Sequence, residues 1–174
     1  SFDVRRTSEL LRYRDGRMFH TTYSLIWVQM LWDVYCLTGE KQLLSDCEAA
    51  YAESSFPGGA APLVSVHDNI YSLELWHGPT AAFKDMALQI MPRLLSRALV
   101  KTGEKRDALI LVATSGDTGK AALEGYKDID RIKIMVFYPK DGVSAVQEAQ
   151  MVTQEGENVG VCAVVGNFDD AQAG

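Results

Sequence analysis

The chain has 174 residues, 47% of them hydrophobic and 23% charged, enough for one domain with a core of its own. Its net charge is −6 and its pI about 5.0, which argues against broad nucleic-acid binding, since that needs a basic face. The three cysteines, Cys36, Cys47 and Cys162, are odd in number with no Cys-x-x-Cys spacing, which argues against a disulfide framework or a zinc site and fits a reducing, cytoplasmic setting.

The chain opens on a locally basic stretch, with Arg5, Arg6, Arg12, Arg14 and Arg17, read as solvated surface. The periodicity predicts a helix over Tyr23–Leu37, ended by Thr38-Gly39. Its apolar part, Tyr23–Cys36, contains Gln29 and Asp33 and is shorter than the about 20 residues of a membrane span. No small-residue cleavage site follows, so a buried helix is the reading rather than a signal or an anchor. A second helix is predicted over Glu40–Ser54, with Leu43, Leu44, Cys47, Ala50 and Tyr51 at helical spacing. Ser54-Ser55-Phe56-Pro57-Gly58-Gly59 reads as a linker. It separates a helical N-terminal region, 1–57, from an α/β region, 58–174.

Short strands are predicted at Pro62–Val66 and Asn69–Leu75, flanking His67-Asp68. A helix is predicted over Ala81–Val100, with Ala87, Ile90, Met91, Leu94, Leu95 and Ala98 along one side, kinked or split at Pro92. Strands are predicted at Ala108–Ala113, Ile132–Tyr138 and Val159–Val165, with Cys162 as buried filler in the last. Helices are predicted at Thr118–Tyr126 and at Ser144–Thr153, the latter with a capping box of Ser144 and Gln147. Asn167 reads as the cap of a last helix whose first turn carries Asp169 and Asp170. Apolar strands alternating with helices make this an α/β fold, a parallel sheet with helices on both faces.

Two segments carry chemistry. His77-Gly78-Pro79-Thr80-Ala81-Ala82-Phe83-Lys84-Asp85 places one lysine just inside a helix start, after a Gly-Pro turn. Ala113-Thr114-Ser115-Gly116-Asp117-Thr118-Gly119 is a small-residue loop between a buried strand and a helix. A lysine in apolar surroundings can attack a carbonyl, and free N–H groups at a helix start can hold a carboxylate or phosphate. From spacing alone the bland readings stand beside these: a solvated lysine paired with Asp85 or Asp117, and an ordinary turn capped by Asp117. The loop is not a dinucleotide fingerprint, because Gly-x-Gly-x-x-Gly is absent. No Ser-His-Asp grouping, paired carboxylates or His/Cys metal spacing stands out, so no metal is expected. Trp27, Trp32, Tyr71 and Trp76 read as core.

In combination and order, the two segments resemble the threonine synthase family, pyridoxal-phosphate enzymes that convert O-phosphohomoserine and water to threonine and phosphate. The likeness runs on through Phe137–Ser144, Val146–Thr153 and Gly166–Gln172, close from Asn69 to Gly174 and weak before Phe56. It implies part of a fold-type-II pyridoxal-phosphate domain. It implies that Lys84 is catalytic, carries the cofactor as a Schiff base and moves protons at Cα and Cβ, with Phe83 and Asp117 beside the cofactor. It also implies that Thr114, Ser115, Gly116, Asp117, Thr118 and Gly119 hold the substrate carboxylate. Lys120, a departure from the family's commoner serine, adds charge toward the substrate phosphate or is simply solvated. His77 either lines the pocket or hydrogen-bonds a backbone carbonyl. Asp141-Gly142 differs from the Gly-Arg of many members, which puts an arginine role there in doubt.

The family's phosphate-binding loop, of the Ser-Gly-Asn-Phe-Gly-Asp kind, is not found, and Gly166-Asn167-Phe168-Asp169-Asp170 is a superficial echo of it. The resemblance therefore implies about the first third of such an enzyme. The remainder would lie beyond Gly174, or self-association would cover the open sheet. Two further readings stay open: a phospho-lyase or other pyridoxal-phosphate enzyme of the same family, and a non-catalytic folding or interaction unit.

Overall fold

A computed structural model describes residues 41–173. The predicted helix over Tyr23–Leu37 and the basic start lie outside the described residues. The chain divides into two compact units between Ala49 and Ala50. Helix α1, Lys41–Ala50, runs up to that division, and the expected extension to Ser54 is absent. Instead Ser55 and Phe56 both donate backbone N–H bonds to the Ala52 carbonyl, a turn that sends Phe56 inward to full burial. Phe56, Ala60 and Met86 form a small apolar cluster, joined by Tyr51, Ala61 and Leu75. The Tyr51 hydroxyl donates to the Met86 carbonyl at 2.6 Å.

Strands β1, Leu63–His67, and β2, Ile70–Leu73, pair as an antiparallel hairpin. Its tight turn holds Asp68 at φ 42°, a conformation that Asp tolerates. The helix expected over Ala81–Val100, kinked or split at Pro92, is split into α2 at Asp85–Leu88 and α3 at Met91–Lys101. Pro92 sits in the first turn of α3, where its missing N–H leaves no bond unmade. The break re-phases the apolar side. Leu95 and Leu99 face the core, while Met91, expected inward, is exposed. The helical start also moves from Ala81 to Asp85, because Ala81 takes φ 56° and cannot continue a helix.

β3 (Ala108–Ala113), β4 (Ile132–Pro139) and β5 (Val159–Val164) form a parallel sheet in the order β3-β4-β5. Helices α4 (Asp117–Tyr126), α5 (Ala145–Val152) and α6 (Phe168–Ala173) connect or follow these strands. The core lies where Ala122, Leu123 and Tyr126 of α4 and Met151 of α5 meet Ile132, Ile134, Val136 and Tyr138 of β4. Those β4 residues alternate, which gives the sheet one core face by the two-residue period of a strand. Leu109 and Leu111 are off this face and exposed, and α6 packs against β4 and β3. Cys162 is exposed rather than buried filler: it pairs in register with Phe137, which alternates with the core-facing β4 residues.

One glycine decides how closely two helices approach. A Cβ on Gly125 of α4 would run into the Leu88 carbonyl at the end of α2. Only hydrogen at that position lets α4 lie directly on α2. The lysine-bearing helix is thereby packed on the helix that the small-residue loop opens.

Candidate functional site

Lys84 sits at the N-cap position of α2 with helical backbone angles, half-buried, its carbonyl accepting from the Ala87 and Leu88 N–H groups. Its Nζ lies 4.4 Å from the centre of the Phe83 ring, a cation–π distance. Among the described residues no carboxylate pairs with it. The two candidates that sequence proximity offered are engaged elsewhere. Asp85 accepts from the Thr80 hydroxyl at 2.7 Å and the Thr80 N–H at 2.9 Å. Asp117 accepts from Gln147 Nε2 at 2.9 Å.

Asp85 is fully buried, and its carboxylate ties down the turn that leads into Lys84. Burial pushes its carboxyl above the ordinary 3.8, and the Thr80 hydrogen bonds offset part of that rise. An unfolded chain releases this proton near 3.8, and the folded chain holds it to higher pH. Between those two points the folded state binds more protons, so stability falls as pH rises through the window and is level above it. Asp85→Asn is expected to flatten this part of the profile. Denaturant titrations of both proteins from about pH 3.5 to pH 7 check it. Identical pH slopes would remove Asp85 as the cause.

The loop after β3 is held by one hydroxyl. Thr114, 2% exposed, accepts from the N–H groups of Gly116 and Gly119, both at 3.0 Å, and donates to the Gly116 carbonyl at 3.1 Å. Gly116 is the N-cap of α4, at φ 154° and ψ −111°, with no side-chain cap. Asp117 is therefore not the cap that sequence reasoning offered as its bland role. The first-turn N–H groups of Asp117 and Thr118 have no partner within a helix and belong to its positive end. Of the run 115–119, the N–H groups of Gly116 and Gly119 are taken by Thr114, which leaves those of Ser115, Asp117 and Thr118 as the donors suited to an anion.

The other candidates are placed as follows. His77 Nε2 lies 2.7 Å from Glu74 Oε2, and its ring stacks beside Trp76, so its partner is a carboxylate and not a backbone carbonyl. Lys120 is part-buried, engaged by Glu124 and by the side-chain oxygen of Gln154. Phe83 is half-exposed beside the lysine. Ser115 and Thr118 lie on the loop and the first turn of α4. Sequence reasoning missed Asp85 and Gln147 as anchors. The signal for Asp85 was a lone acid directly after the lysine and five residues beyond Thr80. Gln147 was visible only as a capping-box member.

This geometry fits an aldehyde-bearing anionic cofactor. Among the described residues the lysine has no competing carboxylate, an aromatic face lies beside it, and the neighbouring helix begins with open donors. Among the described residues no group of His, Cys, Asp and Glu is placed to hold a metal ion, and no helix is long and apolar enough to cross a membrane.

No protein-family model matches the chain. Individual proteins do. A threonine synthase from Pseudomonas aeruginosa is 45% identical over 132 residues, 76% of this chain and 27% of that protein. The PLP-bound threonine synthase structure from Brucella melitensis superposes with a TM-score of 0.72 at 36% identity, covering 88% of this chain and 33% of that one. The yeast threonine synthase structure gives 0.72 at 33% identity, covering 83% of this chain and 31% of that one. The chain thus spans about a third of the solved relatives' length. Over the segment it spans, the sequence and the fold of this chain are those of the threonine synthases.

Proposed function

We propose that this chain supplies the lysine and the carboxylate-binding loop of a threonine synthase, which converts O-phospho-L-homoserine and water to L-threonine and phosphate. The observation that carries the reading is Lys84, with no carboxylate partner among the described residues, on a helix packed against the one that Ser115–Gly119 opens. Pyridoxal phosphate would be held by Lys84 Nζ, with Phe83 and Asp117 beside it, and when bound it supplies an electron sink for deprotonation next to the amino group.

The chain's own groups then have separate tasks. The N–H groups of Asp117 and Thr118, with the Ser115 and Thr118 hydroxyls, hold the substrate carboxylate by charge-assisted hydrogen bonds. Lys84, once displaced by the substrate amine, takes protons at Cα and Cβ as phosphate leaves Cγ, and protons return to Cγ and Cα as water adds at Cβ. Asp85 and Thr80 keep the lysine turn in place. Lys120, bound to Glu124 and Gln154, serves α4 rather than the substrate phosphate. The cofactor phosphate and ring nitrogen are assigned to parts of the enzyme outside these 174 residues. The two thiols among the described residues, Cys47 and Cys162, are unpaired, which accords with a reducing cytoplasm.

Assay of the full-length enzyme with O-phosphohomoserine is the test. Equimolar threonine and phosphate support the proposal. Phosphate with a keto acid in place of threonine would move the reading to a phospho-lyase. The 174-residue polypeptide alone is expected to release no phosphate, and steady turnover by it would contradict the division of the site.

A further inference from the structure

Gln147 is held at both ends of its side chain. Its Oε1 accepts from the Ser144 N–H at 3.1 Å, which closes the capping box of α5. Its Nε2 donates to Asp117 Oδ1 at 2.9 Å, across 30 residues of sequence. The box fixes which end of the amide is oxygen, so the donor end faces Asp117. The same amide covers Gly116: a Cβ there would collide with Gln147 Nε2. Thr114 anchors the loop from the buried side, and Gln147 closes it from the outside.

We propose that Gln147 is a positioning residue for the Ser115–Gly119 loop. By fixing the Asp117 side chain and closing the Gly116 turn, it keeps the open N–H groups of Asp117 and Thr118 in one arrangement before any ligand arrives. The start of α5 is in this way coupled to the start of α4. The consequence for substrate affinity rests on the threonine synthase reading above. The clamp itself does not.

The donor and acceptor can be exchanged. Gln147→Glu keeps the capping box, because Glu serves that position as well as Gln, but it turns a carboxylate toward Asp117. Adding Asp117→Asn then supplies an amide donor on the other side and restores the bond with its direction reversed. The experiment uses the full-length enzyme as wild type, Gln147→Glu, Asp117→Asn and the double variant. Amide hydrogen exchange of the peptide covering 114–119 reads the clamp, and KM and kcat for O-phosphohomoserine read its use.

The expected result for Gln147→Glu is about tenfold faster exchange in that peptide and about a tenfold higher KM, the size of one lost hydrogen bond to a charged group. The double variant should return both toward wild type, with kcat moving less than KM throughout. Wild-type exchange in Gln147→Glu, or a double variant no better than the single, overturns the proposal. Should Gln147→Glu fold poorly, Asp117→Leu, which leaves α5 and its box intact, is expected to loosen the same peptide, and unchanged exchange there overturns it equally. Exchange that follows the expected pattern with KM unmoved in every variant upholds the clamp and removes the loop from the substrate site.

Discussion

Lys84→Ala in the full-length enzyme is expected to lower turnover of O-phosphohomoserine by about 10³-fold or more, the range of losing a positioned acid–base and nucleophilic group. Stability should barely change. Lys84 is half-buried and makes no ion pair among the described residues, and alanine accepts its helical backbone angles, so about 0.5 kcal/mol is the expected ceiling. Added small amines should restore only a small part of the rate, because they replace the base without its fixed position in the site. Steady-state rates and a denaturant titration on one preparation check both halves. Substantial turnover by the variant would show that another residue does the proton transfers. A large stability loss would show that Lys84 is structural.

Gly116→Val is expected to damage both the loop and the substrate affinity. Gly116 sits at φ 154° and ψ −111°, a region that valine does not enter without strain of about 1–3 kcal/mol. Its Cβ would also meet the Gln147 amide, so Gln147 must leave Asp117 or the turn must open. Opening the turn breaks the hydrogen bonds that the Gly116 N–H and carbonyl make with the Thr114 hydroxyl. The substrate carboxylate then loses at least one charge-assisted hydrogen bond, worth about 1.5–3 kcal/mol, so KM should rise about tenfold or more. Thr118→Val, which removes one hydroxyl and keeps the backbone, should raise KM by less. Wild-type KM in both variants would take the loop out of the substrate site.

The strands were legible because their signals are local. Ala108–Ala113 is an unbroken apolar run between polar flanks, and it is β3 end to end. Ser144 and Gln147 announce α5 three residues apart, and both bonds of the box are made. The helix over Ala81–Val100 is split near Pro92, one of the two outcomes expected of that residue, while its late start was hidden from the periodicity. Ala81 adopts a left-handed conformation at the lysine turn, and Pro92 lies in the first turn of the second helix. Cys162 was misplaced because an apolar run has no sidedness, whereas the register with Phe137 does.

In the candidate site the sequence pointed to the residues but not to their bonds. Thr114, Gly116 and Asp117 stand together in the chain. That the Thr114 hydroxyl occupies two of the loop's N–H groups follows only from the fold of the turn. The Gln147–Asp117 bond joins residues brought together by the parallel sheet, whose β4 separates their two helices in sequence. A pattern three or four residues wide cannot carry such a contact. Charge and proximity offered Asp85 as a partner in the bland reading of Lys84, whereas in the fold it is buried and bonded to the Thr80 donors.

Reduction of the full-length enzyme with borohydride, followed by digestion and peptide mass mapping, tests the central claim most directly. It reads where the cofactor is attached without relying on turnover. The expected result is a pyridoxyl mass increment on the peptide containing Phe83-Lys84-Asp85, located at Lys84, and no label there in Lys84→Ala. A pyridoxyl label on a different lysine with Lys84 unmodified would contradict the assignment, and with it the site built around α2 and the Ser115–Gly119 loop.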